Sequence, residues 1–209
     1  PPRSTLFPYT TLFRSFWTSR TKGRPGFFLA LLSPPEYREK LEFCNKEMIF
    51  VLDRSGSMSG TAIDQAKNAL KGALQSLHEG DSFTVLFFNH QIEWLSEVPL
   101  LVSPESLEKA NRHLDAIEAR GGTEILPAMR EALCIKESKG KLKIVVFLTD
   151  GSVGNEERIL SEVKEHLGNS RIYTFGIGSS VNRYFLDKMA QIGRGVSEYI
   201  LPTQRDRKS

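Results

Sequence analysis

The chain has 209 residues, of which 40% are hydrophobic and 25% are charged, a balance typical of folded globular proteins. Its formal net charge is only +3, from 28 basic and 25 acidic side chains, so the composition gives no indication of nucleic-acid binding. No apolar run in the sequence approaches the ~20 residues that a membrane-spanning helix requires. The two cysteines, Cys44 and Cys134, have no metal-type spacing and are too few for a disulfide framework.

The first residues look unlike the rest of the chain. Residues 1–15 include STLFPYTTLFRS, in which the tripeptide TLF occurs twice, and the stretch resembles translated sequencing-adapter contamination. We interpret residues 1–15 as a non-native leader, with a genuine linker as the alternative. Residues 16–45 are interpreted as a strand and linker segment. Within it FFLALL, at 27–32, is shorter than the ~7–15 apolar residues of a signal-peptide core and is predicted to be a strand.

Residues 46–201 show the pattern of one α/β domain, followed by a basic tail at 202–209. Apolar runs predict strands at EMIFVLD (47–53), SFTVLFF (82–88), IEWL (92–95), KLKIVVFLTD (141–150), RIYTFGIG (171–178) and VSEYIL (196–201). Between them, apolar residues at helical spacing predict five helices with buried sides at Ile63, Ala66, Leu70, Ala73, Leu74 and Leu77; at Leu107, Ala110, Leu114 and Ile117; at Leu126, Met129 and Leu133; at Ile159, Leu160, Val163 and Leu167; and at Phe185, Met189 and Ile192. Ser103 followed by Pro104 predicts the start of the second helix.

The alternation of strands and helices predicts a parallel sheet with right-handed crossovers. The strand near Trp94 follows its predecessor too closely for a helical crossover, so we predict an antiparallel edge strand there. The expected fold class is therefore α/β: a doubly wound, mostly parallel six-stranded sheet with one antiparallel edge strand and helices on both faces.

Polar side chains follow two of these strands at the point where each apolar run stops. Asp53, Ser55 and Ser57 come directly after the first strand, and Asp150 follows the fourth. Because ligands of open α/β sheets bind beyond the carboxyl ends of the strands, the two loops would meet if those strands are neighbours. Two carboxylates at short range repel each other, and a hard cation such as Mg²⁺, which prefers oxygen ligands, would neutralise them.

The loop sequence DRSGS, at 53–57, resembles the D-x-S-x-S motif of the von Willebrand factor type A domain, whose metal-ion-dependent adhesion site uses that loop. In that family a threonine and an aspartate from two further loops complete the site, and this chain has matching residues in GGTEI and LTDG. The metal ligands that the resemblance implies are Asp53, Ser55, Ser57, Thr123 and Asp150.

Features beyond the metal loop are similar to one branch of this family. The late stretches TFGIG and VN, with FFLALLSPP upstream, are similar to the type A domains of inter-alpha-trypsin inhibitor heavy chains and their bacterial relatives. The resemblance implies a non-enzymatic protein-binding module in which Mg²⁺ or Mn²⁺ binds an Asp or Glu carboxylate of a partner protein, with no nucleic-acid partner. It also implies a larger chain with an N-terminal vault/inter-alpha-trypsin (VIT) domain, and a setting at the cell surface, in the periplasm or outside the cell.

Several alternatives stay open on the sequence. Asp53 and Ser55 are also explained as helix caps, and Thr123 after two glycines is a plausible N-cap. The same motif occurs in intracellular type A adaptors of ATP-driven assembly machines. A metal-dependent phosphohydrolase is a further alternative, although phosphatase-like α/β folds usually place a second aspartate where this chain has Ser55. Arg54, beside the metal loop, is expected to be exposed, either as a contact for an acidic partner or as an ordinary surface arginine.

Overall fold

A computed structural model describes residues 13–19, 22–23, 25–32 and 44–201. The chain divides into two units, Pro1–Phe43 and Cys44–Ser209. The predicted basic tail at 202–209 and residues 1–12 of the predicted leader lie outside the described residues.

The first unit contains an antiparallel hairpin of two strands, β1 (Phe13–Ser19) and β2 (Phe27–Leu32). The strand predicted at FFLALL is thereby confirmed. Residues 13–15 of the predicted leader belong to β1, and the non-native origin of residues 1–15 stays a prediction. Large apolar side chains of the hairpin are exposed, namely Trp17, Phe27, Phe28 and Leu29.

The described part of the second unit is built on a seven-stranded sheet. Its strands are β3 (Asn45–Asp53), β4 (Ser82–Phe88), β5 (Ile92–Trp94), β6 (Leu100–Leu101), β7 (Lys141–Thr149), β8 (Arg171–Ile177) and β9 (Ser197–Ile200). They lie in the order β5-β4-β3-β7-β8-β9, and β6 also pairs with β4. Strands β3, β4, β7, β8 and β9 are parallel, whereas β5 and β6 run antiparallel to β4.

All six predicted strands of this sheet are present, and the antiparallel edge strand near Trp94 is confirmed as β5. The seventh strand, β6, was not predicted. It has only two residues, which is too short for a hydrophobic alternation to be recognised in the sequence.

Five helices cover the two faces of the sheet within the described residues: α1 (Thr61–Gln75), α2 (Pro104–Ala116), α3 (Ile125–Cys134), α4 (Glu156–His166) and α5 (Arg183–Ile192). Successive residues of β3 face opposite sides, so Ile49 and Val51 pack with α3, α4 and α5, whereas Phe50 and Leu52 pack with α1 and α2. Ser103 caps α2 as predicted, with Pro104 in its first turn. No helix in the described ranges combines the length and the apolar character needed to cross a membrane.

The winding direction of the sheet reverses beside β3. The chain adds β4 on one side of β3 and later returns to add β7 on the other. Because Leu52 is in register with Leu148, the ends of β3 and β7 lie level with each other. The loops after these two strands, which carry Asp53 and Asp150, therefore open at the switch point of a doubly wound sheet.

Candidate metal site

Asp53 ends β3 and has none of its surface exposed. Its two carboxylate oxygens accept hydrogen bonds from neutral donors: Oδ1 from the backbone N–H of Ser55 at 2.8 Å and Oδ2 from the hydroxyl of Thr149 at 2.6 Å. The Thr149 hydroxyl also accepts the backbone N–H of Gly151 at 2.9 Å. The carboxylate is thus held between its own loop and the neighbouring strand β7.

The loop after Asp53 forms a single 3₁₀ turn, Gly56–Met58, before α1 begins. Met58 is fully buried and anchors the turn to the core, whereas Ser57 is exposed. The hydroxyl oxygens of Ser55 and Ser57 lie 3.0 Å apart. Adjacent oxygens around an octahedral Mg²⁺, each at ~2.0–2.1 Å from the metal, are separated by ~3 Å, so the two serines have the spacing of neighbouring ligands.

The loop that carries Thr123 is joined to the serine loop through the backbone. Gly56 donates its N–H to the Gly121 carbonyl at 2.9 Å, and Arg120 donates to the Arg54 carbonyl at 2.8 Å. Gly121 has a φ of +81°, and a Cβ there would lie 2.5 Å from His90 Nδ1, so only glycine fits this approach. Thr123 is half-buried and lines a cavity of about 360 Å³.

Asn89 supports this loop in a way that sequence reasoning missed. The side-chain N–H of Asn89 donates to the Arg120 carbonyl, and the backbone carbonyl of Asn89 accepts the backbone N–H of Glu124, both at 2.8 Å. Asn89 is almost fully buried just after β4, so it fixes the Thr123 loop at both ends. Its sequence signal was the pair FN at the end of a buried strand, which belongs to the family resemblance but did not indicate this supporting role.

Asp150 follows β7 and is 8% exposed. Its Oδ1 accepts the backbone N–H of Ser152 at 3.0 Å, and its carbonyl accepts the N–H of Asn182 at 2.9 Å. Asp150 is close enough to Asp53 for its charge to affect the pKa of that carboxyl. The two aspartates predicted to share a site are therefore electrostatic neighbours.

The electrostatics of the pair fit a bound cation. Burial raises the pKa of Asp53, the hydrogen bonds from Thr149 and Ser55 offset only part of this effect, and the charge of Asp150 raises the pKa further. Among the residues that the structure describes, neither aspartate forms an ion pair. When both carboxylates are ionised, no basic side chain in the described part of the chain pairs with them.

The donor set consists of two carboxylates and three hydroxyls. The structure brings Asp53, Ser55 and Ser57 onto one turn, places Asp150 beside them, and joins the Thr123 loop to that turn. In the described ranges no group of three or more His, Cys, Asp or Glu side chains is arranged to hold a metal, so a site of that composition is not present there. Oxygen ligands of this kind suit Mg²⁺ or Mn²⁺, and ligation by the five residues stays a prediction.

The capping alternatives receive no support from the helix ends. Gly60 is the N-cap of α1, with no side-chain hydrogen bond at that end. Ser55 precedes the 3₁₀ turn without capping it. Glu124, not Thr123, is the N-cap of α3. The hydroxyls of Ser55 and Thr123 are therefore not used as helix caps.

The expectation that Arg54 is exposed is wrong. Arg54 is only 8% exposed, and its Nη1 forms an ion pair with Glu93 Oε2 at 2.7 Å. The side chain turns away from the metal loop toward the edge strand β5. Sequence position beside a surface loop did not indicate this, because Glu93 is distant along the chain.

The fold is a doubly wound α/β domain, and the side-chain oxygens described above lie near the switch point of its sheet. The family model of the von Willebrand factor type A domain matches residues 46–199. The chain belongs to the von Willebrand factor type A domain family, as the resemblance in the sequence predicted.

Relatives and a solved structure agree with this assignment. The chain is 36% identical to a von Willebrand factor A domain-containing protein of Dictyostelium discoideum, over 84% of this chain and 19% of that protein. It is 33% identical to inter-alpha-trypsin inhibitor heavy chain H4 of Homo sapiens, over 84% of this chain and 20% of that protein. The chain thus spans about a fifth of the length of these curated relatives. A von Willebrand factor type A structure from Catenulispora acidiphila shares the fold, with a TM-score of 0.68 and 20% identity over 93% of this chain and 47% of that chain.

Proposed function

We propose that this chain is a protein-binding module that depends on a divalent cation. The ligands are Asp53, Ser55, Ser57, Thr123 and Asp150, and the cation is Mg²⁺ or Mn²⁺. A bound cation supplies an electrophilic position for a carboxylate oxygen of an Asp or Glu side chain of the partner protein. Family membership supports the broader role as an interaction module.

One observation carries the proposal: the carboxylate of Asp53 is fully buried and close enough to Asp150 to be affected by its charge, and neither forms an ion pair within the described residues. Burying an uncompensated carboxylate costs free energy, and burial accordingly raises the pKa of Asp53. Asp53 is nonetheless held by two hydrogen bonds that fix its orientation. Rigid, uncompensated carboxylates beside paired hydroxyls are the arrangement expected of a cation site.

The accessibility of the hydroxyl side supports binding of a partner. Ser57 is exposed, and Thr123 is half-buried beside a cavity of about 360 Å³ that Asn155 and Arg158 also line. Neutral hydroxyl ligands leave a bound cation with most of its positive charge. An incoming carboxylate on this side would therefore be attracted more strongly than at a site with more acidic ligands.

We propose a binding role, not a catalytic one. The chain has Ser55 where phosphatase-like α/β folds usually have a second aspartate, and the hydroxyls are accounted for as metal ligands. No observation favours the intracellular adaptor over the adhesive module. From the family resemblance of the sequence alone, we further propose that the module belongs to a larger protein with an N-terminal VIT domain, located at the cell surface, in the periplasm or outside the cell.

Thermal unfolding tests the cation site. We expect Mg²⁺ or Mn²⁺ to raise the melting temperature of the 209-residue chain relative to EDTA, since a ligand that binds only the folded state stabilises it. Asp150→Asn should abolish this shift. Asp64→Asn is the matched control, because Asp64 is exposed on α1 and the substitution removes the same charge. A full shift in D150N would contradict the ligand assignment.

Acetate tests the open coordination position, because it is the simplest carboxylate. With Mn²⁺-loaded protein we expect the methyl protons of acetate to relax faster than with the same protein in EDTA, because acetate coordinates directly to the paramagnetic ion. Formate should compete with acetate and reduce the effect. Binding of Mn²⁺ without any acetate relaxation would contradict the carboxylate-bridging role while leaving the cation site intact.

A further inference from the structure

The carboxylate of Glu93, on the edge strand β5, joins two elements that reach the metal loops. Its Oε2 pairs with Arg54 Nη1 at 2.7 Å, and its Oε1 accepts the Nε2–H of His113, on α2, at 2.8 Å. Because a carboxylate only accepts, the proton of this second bond must lie on His113 Nε2. The His113 ring stacks on Phe87, the residue in register with Glu93, at a centroid distance of 5.0 Å.

Arg54 is the residue between two predicted metal ligands, Asp53 and Ser55. Its backbone N–H donates to the Phe88 carbonyl and its carbonyl accepts from Arg120, both at 2.8 Å. Its side chain is 9% exposed and bonds only to Glu93 in the described structure. Any movement of the Arg54 side chain is therefore transmitted to the metal loop through a nearly buried, hydrogen-bonded residue.

His113 belongs to the last turn of α2, and the chain runs from that helix directly into the loop that carries Thr123. Asp53 and Asp150 are positioned by paired strands of the sheet, but Thr123 lies on a loop outside the sheet. Two backbone hydrogen bonds, from Gly56 N–H to the Gly121 carbonyl and from Arg120 N–H to the Arg54 carbonyl, join this loop to the serine loop. Glu93 adds a side-chain connection, from Arg54 in the serine loop to His113 on the helix that leads into the Thr123 loop.

We propose that Glu93 is a positioning residue for the metal site, setting the separation of Thr123 from Ser55 and Ser57 without contacting the metal. This inference rests on the proposed function. Glu93 is half-exposed but Arg54 is nearly buried, so removing the carboxylate leaves a buried charge unpaired and should lower stability as well. Cation affinity is the measurement that separates a positioning role from a structural one, because residues that support metal ligands change it.

The test is calorimetric titration of the 209-residue chain with Mg²⁺ well below its melting temperature, with melting in EDTA measured in parallel. For Glu93→Gln we expect Mg²⁺ to bind about tenfold more weakly. This is the lower end of the loss of metal affinity that follows when a residue supporting a metal ligand is replaced. Glu97→Gln, an exposed carboxylate between β5 and β6, removes the same charge and should keep the wild-type affinity.

Each outcome decides the inference. A lower melting temperature of E93Q in EDTA with unchanged Mg²⁺ affinity would reduce Glu93 to a structural residue and overturn the proposal, as would equal losses of affinity in E93Q and E97Q. Should E93Q fail to fold, His113→Phe keeps the ring stacked on Phe87 and removes only the bond to Glu93; weaker Mg²⁺ binding supports the proposal and wild-type affinity overturns it. Absence of binding by the wild-type chain would instead overturn the proposed function, and this inference with it.

Discussion

Two buried aspartates lie at opposite ends of the central sheet, and their surroundings differ. Asp53, at the carboxyl end of β3, is 0% exposed; Asp81, at the amino end just before β4, is 3% exposed. The oxygens of Asp81 accept backbone N–H bonds from Lys46 at 2.7 Å and from His78 at 3.0 Å. Burial by itself raises the pKa of Asp81, but these amides and the charge of Lys46 outweigh it and the pKa is lowered. The pKa of Asp53 is raised.

The difference shows at which end of the sheet the chain compensates a buried carboxylate with its own donors. At the amino end, backbone donors compensate the charge of Asp81 and make its ionised form favourable. At the carboxyl end, the hydrogen bonds from Ser55 and Thr149 fix Asp53 but compensate its charge only in part, and Asp150 adds a second carboxylate. The first arrangement stabilises the fold, whereas the second leaves a charge that an external cation can neutralise.

The largest contrast should appear in cation binding. We expect Asp53→Asn to weaken Mg²⁺ binding at least ~100-fold, since it removes a charged ligand of a hard cation. Asp81→Asn, which removes the same charge at the other end of the sheet, should leave the affinity nearly unchanged. Isothermal titration calorimetry measures both. Equal losses in the two variants would mean that only overall charge matters.

The same two variants should differ in metal-free stability. In EDTA, D81N should lower the free energy of unfolding by about 2 kcal/mol, because an amide has one acceptor oxygen for two buried N–H donors. D53N also leaves one of two donors without an acceptor, but it removes a buried charge that is only partly compensated, so it should be destabilised less than D81N in EDTA. Urea unfolding provides the values. A loss of stability in metal-free D53N as large as that in D81N would show that the two carboxylates are equally well compensated.

Thr149→Val tests the fixation of Asp53 without removing a ligand. The change keeps the side-chain shape but loses the hydroxyl that donates to Asp53 and accepts the Gly151 N–H, so we expect Mg²⁺ to bind about tenfold more weakly. Metal-free stability should fall by about 1 kcal/mol. Thr174→Val is the control: Thr174 is also buried and bonds to the Leu186 carbonyl, away from the site. If T174V weakens Mg²⁺ binding equally, the Thr149 hydroxyl has no special role.

The smallest effect we expect is a difference in pH dependence, measured by unfolding in EDTA. The pKa of Asp81 is lower in the folded state than the ordinary 3.8, so its stabilisation is complete above pH 3.8 and is lost as the pH falls through the folded-state pKa. The pKa of Asp53 is raised, so its contribution is complete below pH 3.8 and is lost as the pH rises through the folded-state pKa. D81N and D53N should therefore change the acid limb of the stability curve in opposite directions. Changes of the same sign would contradict the comparison.

The sequence predicted the parts of the fold that depend on local pattern. Continuous apolar runs located the central strands, and the positions of Asp53 and Asp150 followed from where those runs stop. The two residues of β6 carry no such pattern, so that strand was missed. Thr123 was identified by family resemblance, because a threonine after two glycines has no distinctive local signal.

The supporting contacts depend on side chains that are far apart in the sequence. Thr149 bonds to the carboxylate of Asp53, 96 positions away in the sequence. Predicting this bond would require knowledge of the parallel register of β3 and β7. Arg54 was expected to be exposed because the sequence predicts the edge strand that carries Glu93 but not which side chain Glu93 pairs with. Long-range register, more than residue type, limited what could be predicted.

The central claim is tested most directly by a crystal structure of the chain grown with Mn²⁺ and examined by anomalous scattering. We expect one anomalous peak enclosed by oxygens of Ser55, Ser57 and Thr123, with Asp53 and Asp150 bound directly or through water. A well-ordered structure in which these side chains surround no peak at saturating Mn²⁺ would contradict it.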